Sequence, residues 1–213
     1  MHKNTKLTTI YIVRHGETEW NIKHLMQGHL DSPLTQAGEQ QAKDIALRLK
    51  HIHFDEVFSS DLFRAKRTAE TIILERKIAI KTTQALRERN YGVFEGKVYD
   101  EYNQALQKLL VQYKTRSEQD KVFYKSHGVE TTDQSIARLI TFLRELAVSY
   151  SGKTILVVSH GGVMRYLLIH LGFGTYKTLP SGSIANTAYI KLASDGVDFF
   201  VKETKGITKI SND

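Results

Sequence analysis

The chain has 213 residues, a formal net charge of +7 and no cysteine. Its length predicts one domain, or one domain with a small insertion. The absence of cysteine excludes disulfides and thiolate metal sites. Its lysines are scattered without a nucleic-acid-binding motif, so we expect no nucleic-acid partner and a positive cleft that attracts small anions. No signal peptide or membrane-length apolar stretch is visible, which predicts a cytoplasmic protein without a membrane partner.

Strand and helix patterns alternate along the chain. Apolar and β-branched runs predict strands at Thr8–Val13, Glu56–Ser59, Ile78–Thr82, Thr154–Ser159, Asn186–Leu192 and Val197–Val201. Apolar residues at helical spacing predict helices at Thr35–Lys50, Leu62–Arg76 and Thr132–Tyr150. Their expected N-caps are Thr35, Asp61 and Thr131. The alternation predicts an α/β fold: a three-layer α/β/α sandwich with a mostly parallel sheet.

One segment, approximately residues 96–130, interrupts the alternation. It begins with a short amphipathic pattern whose apolar face comprises Tyr102, Ala105, Leu106, Leu109, Leu110 and Tyr113. A polar stretch from Lys114 to Ser126 follows. We expect a small helical cap insertion within a single domain that covers residues 1–213. The alternative is an ordinary connection between two elements of the sheet.

A histidine and a glycine follow two of the predicted strands. Arg14-His15-Gly16 ends the first strand, and Ser159-His160-Gly161-Gly162 ends the strand that begins at Thr154. Ligands of parallel α/β sheets bind in the crevice beyond the carboxyl ends of the strands. The pattern therefore predicts that His15 and His160 face one pocket. For an isolated histidine, a hydrogen-bonded position in the core would be the better interpretation.

The first junction carries a family signature. Arg14-His15-Gly16-Glu17-Thr18 resembles the RHG motif of the histidine phosphatase superfamily, which includes the cofactor-dependent phosphoglycerate mutases. Further blocks resemble the family in the same order: Gln27-Gly28 with Asp31–Thr35, Ser59–Ala69, Leu86-Arg87-Glu88 with Tyr91-Gly92, and Ser159–Gly162. The ordered blocks are far more specific than the RHG motif alone.

The resemblance implies a role for each matching residue. His15 would be the nucleophile, since a neutral imidazole presents a lone pair to phosphorus. Arg14 and Arg64 would clamp the phosphate with planar guanidinium forks, and His160 would stabilise the transferring group. Glu88 would be the general acid and then the general base. The further substrate-binding positions would be Asn21, Gln27, Gly28, Tyr91 and Gly161.

Two alternatives to these assignments stay open in the sequence. Asn21 is almost as well explained as a helix cap or turn residue. A metal site is one interpretation of His51 and His53, which would share one side of a strand. A turn after a helix explains them better, and no carboxylate set with ligand spacing lies nearby. We expect neither a metal nor a cofactor, in line with the family's metal-free mechanism.

The sequence favours a phosphatase over a mutase. The mutases carry a lysine eleven residues after the catalytic glutamate, and Tyr99 stands there, with Lys97 out of register. Lys114 and Arg116 replace the paired arginines of the mutases. We therefore predict hydrolysis of a small phosphorylated substrate. Mutase activity ranks second, and a non-catalytic phospho-ligand-binding protein is the alternative of another class. The natural substrate and the oligomeric state are left open.

Overall fold

The computed structural model describes residues 6–112 and 125–211. Its strands are β1 Thr8–Arg14, β2 Glu56–Ser60, β3 Ile80–Thr83, β4 Thr154–Ser159, β5 Ile184–Ser194 and β6 Phe199–Ile207. Its helices are α1 Glu19–Ile22, α2 Gln36–Arg48, α3 Phe63–Ile72, α4 Tyr99–Gln112, α5 Thr132–Ser149 and α6 Gly161–His170. Short 3-10 turns lie at Gln84–Leu86 and Gly92–Phe94.

The strands described above form one sheet in the order β3-β2-β4-β1-β5-β6. The four strands from β3 to β1 run parallel, whereas β5 and β6 are antiparallel to their neighbours. The register pairs Ile10 with Ile155 and Arg14 with Ser159. The carboxyl ends of β1 and β4 therefore lie side by side at the centre of the sheet, which is where both histidine junctions occur.

Helices cover both faces of the sheet. Ile10 and Ile12 point to one face and pack in a cluster with apolar residues of α5 and α6. Tyr11 and Val13 point to the other face and pack with residues of α2 and α3. Because successive side chains of a strand alternate between faces, a continuous apolar run is needed where both faces are covered. The predicted three-layer α/β/α sandwich with a mostly parallel sheet is confirmed.

Two of the three predicted helix caps are confirmed and one is wrong. The Thr35 hydroxyl accepts a hydrogen bond from the Gly38 N–H at 2.9 Å, and Thr131 forms a capping box with Gln134. Asp61 does not cap α3, whose N-cap residue is Leu62. The reason is that Asp61 forms two hydrogen bonds with the Arg87 guanidinium, at 2.7 and 2.6 Å, and such paired charge-assisted bonds are strong.

The ends of two elements differ from the prediction. The predicted helix Leu62–Arg76 ends at Ile72. The last strand starts at Phe199 and continues to Ile207, past the predicted end at Val201. The extra residues lie on an edge strand and include the exposed Lys202 and Lys205. A strand with one solvated face has fewer apolar residues, so its end is harder to predict.

The start of the expected cap insertion is a helix, α4. Its Tyr102 packs on Phe94 in a small buried cluster with Met26 and Val129. Predictions that concern Leu109, Leu110, Tyr113, Lys114 and Arg116 lie outside the side chains that the structure describes. The extent of the insertion stays a prediction. Within residues 6–112 and 125–211, no helix combines the length and the apolar character needed to cross a bilayer.

Candidate active site

The two histidine junctions meet in space. The ring centroids of His15 and His160 lie 5.2 Å apart, and both side chains are buried. The backbone N–H of His15 donates to the Ser159 carbonyl at 3.0 Å, which extends the β1–β4 pairing by one residue. Parallel pairing of two central strands is thus what places the imidazoles side by side.

The orientation of His15 leaves one ring nitrogen open. Its Nδ1 lies 2.7 Å from the Gly16 carbonyl oxygen. Because a carbonyl only accepts, Nδ1 carries the hydrogen and Nε2 presents a lone pair. Burial, followed by the positive charges of Arg64 and Arg14, lowers the pKa of His15 well below its ordinary value of 6.5. The imidazole is therefore neutral at pH 7.

The loop around His15 is held from three elements. The Gly16 N–H donates to the Thr68 hydroxyl of α3 at 3.0 Å. The Asn186 amide of β5 donates to the His15 carbonyl oxygen at 3.1 Å. A Cβ on Gly16 would lie 2.5 Å from the Gly38 carbonyl oxygen of α2, so only glycine fits. The position of His15 is thereby fixed by α2, α3 and β5.

Two buried arginines lie beside the histidines. Arg64 is fully buried and donates to the carbonyl oxygens of Leu30 at 2.7 Å and Gly28 at 2.8 Å. Burial lowers the pKa of Arg14 to about 10, so this guanidinium stays charged at pH 7. The Nε atoms of Arg14 and Arg64 are buried without a partner among the described residues. Buried donors normally have partners, and phosphate oxygens would supply them.

Glu88 lies at the N-terminus of α6. Its carboxylate accepts from the backbone N–H groups of Gly162 at 2.8 Å, Val163 at 3.1 Å and Arg89 at 2.8 Å. Such N–H groups and the helix dipole favour an anion. The carboxylate therefore occupies a fixed position next to the histidine pair.

The two glycines that open α6 allow this close packing. A Cβ on Gly161 would lie 2.9 Å from Nε of Arg14, and a Cβ on Gly162 would lie 2.5 Å from Oε1 of Glu88. Any larger residue would displace a guanidinium or a carboxylate. The His-Gly-Gly sequence thus explains how a helix end approaches both charged groups.

A cavity of about 1500 Å³ opens over these groups. Its wall contains nine of the predicted site residues: Arg14, His15, Asn21, Gln27, Gly28, Arg64, Glu88, Tyr91 and Gly161. His160 is not part of the described wall and lies behind it, against His15. Both of its ring nitrogens lack a partner among the described residues. The structure thus brings the predicted residues together around one cavity, with His160 one layer deeper.

Asn21 stabilises the start of α1 and also lines the cavity. It is the third helical residue of a capping box with Thr18. Its Oδ1 accepts from the Thr18 N–H at 3.1 Å and from the Asn186 amide at 3.3 Å. Since the carbonyl side of the amide is engaged, its Nδ2 group is the part left to face a ligand. The two interpretations of Asn21 are therefore compatible.

The loop that carries Glu88, from Ala85 to Arg89 (the acid loop), depends on an arginine that the sequence does not indicate. Arg138 of α5 donates to the carbonyl oxygens of Ala85 at 2.9 Å, Arg87 at 2.7 Å and Glu88 at 2.8 Å. It also forms an ion pair with Glu130 at 2.7 Å. One guanidinium thus fixes the backbone that carries Glu88. A single arginine in an amphipathic helix gives no sequence signal for such a role.

Asp31 is a second residue whose role the sequence did not reveal. Its carboxylate accepts from the backbone N–H groups of Phe63 and Arg64 and so caps α3. It also accepts from Nη1 of Arg64 at 3.0 Å. Asp31 thereby fixes both the helix that carries Arg64 and the guanidinium itself.

The histidines outside the cavity form no metal cluster within the residues described. His51 and His53 lie in the turn after α2, as expected. Nε2 of His53 lies 4.0 Å from the Asp55 carboxylate. Over the described ranges, no group of three or more His, Asp or Glu side chains is arranged to hold a metal ion.

Comparison with known families agrees with this geometry. Residues 10–205 match the model of the histidine phosphatase superfamily (branch 1). The chain belongs to this superfamily. Phosphoglycerate mutase-like protein 4 of Arabidopsis thaliana is 40% identical over 167 residues, which cover 74% of this chain and 68% of the relative. The uncharacterized phosphatase PhoE of Bacillus subtilis is 32% identical over 168 residues, or 79% of each chain.

A solved structure has the same fold as this chain. YhfR of Bacillus stearothermophilus superposes with a TM-score of 0.77 at 29% identity. The match covers 94% of this chain and 98% of YhfR. The fold and the family resemblance expected from the ordered motifs are confirmed. The relatives' names include both a phosphatase and a mutase-like protein. Family membership therefore supports an enzyme, but it does not distinguish a phosphatase from a mutase.

The buried histidines predict a pH-dependent stability. Burial lowers the pKa values of His15 and His160 in the folded chain, whereas unfolding restores ordinary values. The unfolded chain then binds more protons below about pH 6.5, so the free energy of unfolding falls as the pH is lowered. Each neutral buried histidine contributes up to about 1.4 kcal/mol per pH unit to the slope of the free energy of unfolding against pH.

Urea unfolding between about pH 8 and pH 5 measures this slope. We expect His160→Gln to reduce the slope, because it removes one of the neutral buried imidazoles. The exposed His51 is the matched position, and His51→Gln is expected to leave the slope unchanged. An equal slope in the wild type and in His160→Gln would show that His160 is not held neutral by the fold.

Proposed function

We propose that the protein is a phosphomonoester hydrolase that acts on a small phosphorylated substrate through a phosphohistidine at His15. The observation that carries the proposal is the state of His15. Its imidazole is buried and neutral, with Nδ1 bonded to a carbonyl and Nε2 presenting a lone pair. Two charged guanidinium groups with buried, unpartnered Nε atoms lie in the same cavity wall. This arrangement supports His15 as the nucleophile and the two arginines as a phosphate clamp.

In the first step, Nε2 of His15 attacks phosphorus. The P–N bond forms as the ester P–O bond breaks, and the electron pair of that bond goes to the leaving oxygen. Glu88 enters this step as the neutral acid and donates its proton to this oxygen. An alcohol therefore leaves rather than an alkoxide, and Glu88 becomes a carboxylate. Arg14 and Arg64 stabilise the negative charge on the non-bridging oxygens. His160, packed against His15, supports the same pocket.

In the second step, water replaces the leaving group. The Glu88 carboxylate takes a proton from the water as the water oxygen attacks phosphorus. The P–N bond breaks and its electron pair returns to Nε2, which restores the neutral imidazole. The hydrogen on Nδ1 stays bonded to the Gly16 carbonyl throughout. Inorganic phosphate is the product, and no group besides water is consumed.

The cavity wall favours hydrolysis over phosphoryl transfer between hydroxyls. Tyr99 lines the cavity. It stands at the sequence position where the family's mutases have a lysine. Lys97 lies 3.9 Å from the Glu101 carboxylate and 6.0 Å from the Phe94 ring centroid, and it is not part of the described wall. A mutase holds a bisphosphorylated intermediate and needs extra cations for it. The cation that the family's mutases carry at this position is a tyrosine in this chain, and this difference supports water as the acceptor.

One experiment separates the three candidate functions. Protein treated exhaustively with a chelator is incubated with p-nitrophenyl phosphate, and separately with 3-phosphoglycerate plus a trace of 2,3-bisphosphoglycerate. We expect release of inorganic phosphate in both, undiminished by the chelator, because the positive charge of the pocket comes from Arg14 and Arg64. Nuclear magnetic resonance of phosphorus identifies the products.

The other outcomes point elsewhere. 2-Phosphoglycerate as the main product would make the protein a mutase. Binding of phosphate esters without turnover would make it a phospho-ligand-binding protein. Turnover that disappears with the chelator and returns with magnesium or zinc would contradict the metal-free mechanism.

A further inference from the structure

Glu95 is a half-buried residue that the steps of phosphoryl transfer described above do not use. Its carboxylate accepts three backbone hydrogen bonds. Oε1 accepts from the N–H groups of His29 at 2.8 Å and Tyr91 at 2.9 Å, and Oε2 accepts from the Leu30 N–H at 3.1 Å. His29 and Leu30 belong to the turn of residues 28–30, whereas Tyr91 lies two residues beyond the acid loop. One carboxylate therefore ties this turn to the chain that follows the acid loop.

The same turn holds the Arg64 guanidinium. Its Gly28 carbonyl oxygen accepts from Nη2 at 2.8 Å, and its Leu30 carbonyl oxygen accepts from Nη1 at 2.7 Å. The Asp31 carboxylate, next in the chain, accepts from Nη1 at 3.0 Å. The Nε of Arg64 is buried without a partner among the described residues, so it is the donor left for a phosphate oxygen. The place of that donor is set by where the 28–30 turn lies.

Glu95 acts on this turn at close range. Gly28 has a φ of +53°, and a Cβ there would overlap Oε1 of Glu95. Only glycine lets the turn pack against the carboxylate. Glu95 also acts through its charge: burial lowers the pKa of Arg64, and the negative charges of Asp31, Glu88 and Glu95 oppose this lowering. The buried guanidinium is thereby kept both charged and in place.

We propose that Glu95 is a positioning residue that holds the 28–30 turn and thereby places the Arg64 guanidinium for the transferred phosphoryl group. Glu95 is not part of the described cavity wall, so it acts through Arg64 and not by contact with the substrate. The inference rests on the proposed hydrolase function, and its test includes a binding measurement that does not need turnover. The competing explanation is that Glu95 acts on the acid loop through Tyr91, and the dependence on the leaving group separates the two.

Two esters with different leaving groups test how Glu95 acts. In Glu95→Gln the side-chain amide nitrogen replaces one carboxylate oxygen and faces a backbone N–H, so at least one of the three hydrogen bonds is lost. We expect pre-steady-state release of the leaving group to slow roughly tenfold, the size of one hydrogen bond to a charged group. The slowing should be equal for an alkyl phosphate and for an aryl phosphate, because the non-bridging oxygens need Arg64 whichever group leaves. Slowing of the alkyl ester alone would place the role of Glu95 in the acid loop and overturn the proposal.

A double-mutant cycle assigns the effect to Arg64. When Arg64→Gln is already present, adding Glu95→Gln should slow the reaction by less than about twofold, because the group that Glu95 positions is absent. An equal loss in both backgrounds would show that Glu95 acts independently of Arg64. The control is Glu203, a half-buried residue of β6 outside the described cavity wall whose carboxylate accepts from the Tyr189 hydroxyl. Glu203→Gln should leave the rates of both backgrounds unchanged.

A second variant covers the case that Glu95→Gln does not fold. Glu95→Asp keeps the charge, but its carboxylate is one methylene shorter and cannot reach both the turn and the Tyr91 N–H. It should show the same slowing and the same dependence on Arg64. Wild-type rates in Glu95→Asp would overturn the proposal. Thermal unfolding of each variant shows that the measured protein is folded.

Binding of inorganic phosphate separates this proposal from the proposed function. In a titration followed by phosphorus nuclear magnetic resonance, Glu95→Gln should raise the Kd roughly tenfold, and it should have little further effect when Arg64→Gln is present. If turnover is absent while this dependence is found, the positioning role stands and the hydrolase function fails. If turnover is found but Glu95→Gln leaves the Kd unchanged, the positioning role fails alone.

Discussion

We expect His15→Ala to lower phosphatase turnover by roughly 10⁴-fold or more, because the nucleophile is lost and the remaining groups only bind and polarise the ester. The variant should still fold. The substitution leaves the Gly16 carbonyl without its 2.7 Å partner, which costs stability, yet β1 and β4 stay paired through backbone hydrogen bonds. His15→Asn retains an amide near that carbonyl and is the second variant if alanine proves too destabilising.

Rapid-quench labelling measures the chemistry behind this loss. With a substrate carrying labelled phosphorus, the wild type should acquire label that is stable in alkali and labile in acid, and His15→Ala should acquire none. The exposed His51 provides the control, since His51→Ala should retain both the label and the turnover. Label that is stable in acid would place the intermediate on serine, and label that is lost in alkali would place it on an aspartyl carboxylate. Either result would contradict the mechanism.

The sequence predicts those parts of the molecule that depend on local pattern. The apolar runs of β1 and β4 are continuous because both faces of these central strands are covered. A histidine that follows each of two parallel strands is then carried to one edge of the sheet, and adjacent pairing brings the rings to 5.2 Å. The ordered family motifs identify the arginines and the glutamate that surround this pair.

The sequence does not reveal partners that arise only in three dimensions. Asp61 has the right residue type and position to cap α3, but Asp31 from a distant loop takes that role. The competing Asp61–Arg87 pair links residues 26 positions apart. Arg138 fixes three carbonyl oxygens of the acid loop from about 50 residues away. None of these pairings follows from helical or strand periodicity, because long-range ion pairs depend on the completed fold.

The sequence also does not predict how deeply His160 is buried. Its motif predicts a place in the pocket, and its ring centroid lies 5.2 Å from that of His15, although His160 is not among the described residues that line the cavity. His160 is the N-cap residue of α6 and is fully buried.

The second large effect that we expect separates acid catalysis from charge stabilisation. Glu88→Gln should slow phosphorylation by alkyl phosphates by roughly 10²-fold or more, the size of a lost general acid. An aryl phosphate with a good leaving group should be slowed much less, because its oxygen leaves without a proton. Glutamine is nearly isosteric, but its amide donates, so one of the contacts to the N–H groups of Gly162, Val163 and Arg89 is weakened. The exposed Glu145 provides the control variant Glu145→Gln.

Arg64 provides the contrast, because charge on the non-bridging oxygens must be stabilised whatever group leaves. Arg64→Gln should therefore slow phosphorylation by both esters to a similar extent. The thermal stability of Arg64→Gln is measured as well, because Arg64 is fully buried and donates hydrogen bonds to two carbonyl oxygens. The comparison requires pre-steady-state rates of leaving-group release, because Glu88 also activates water in the second step and would affect steady-state turnover of either ester. Equal slowing of both esters by Glu88→Gln would show that Glu88 binds the substrate or stabilises the site and does not donate a proton to the leaving oxygen. The assignment of Glu88 as general acid would then be wrong.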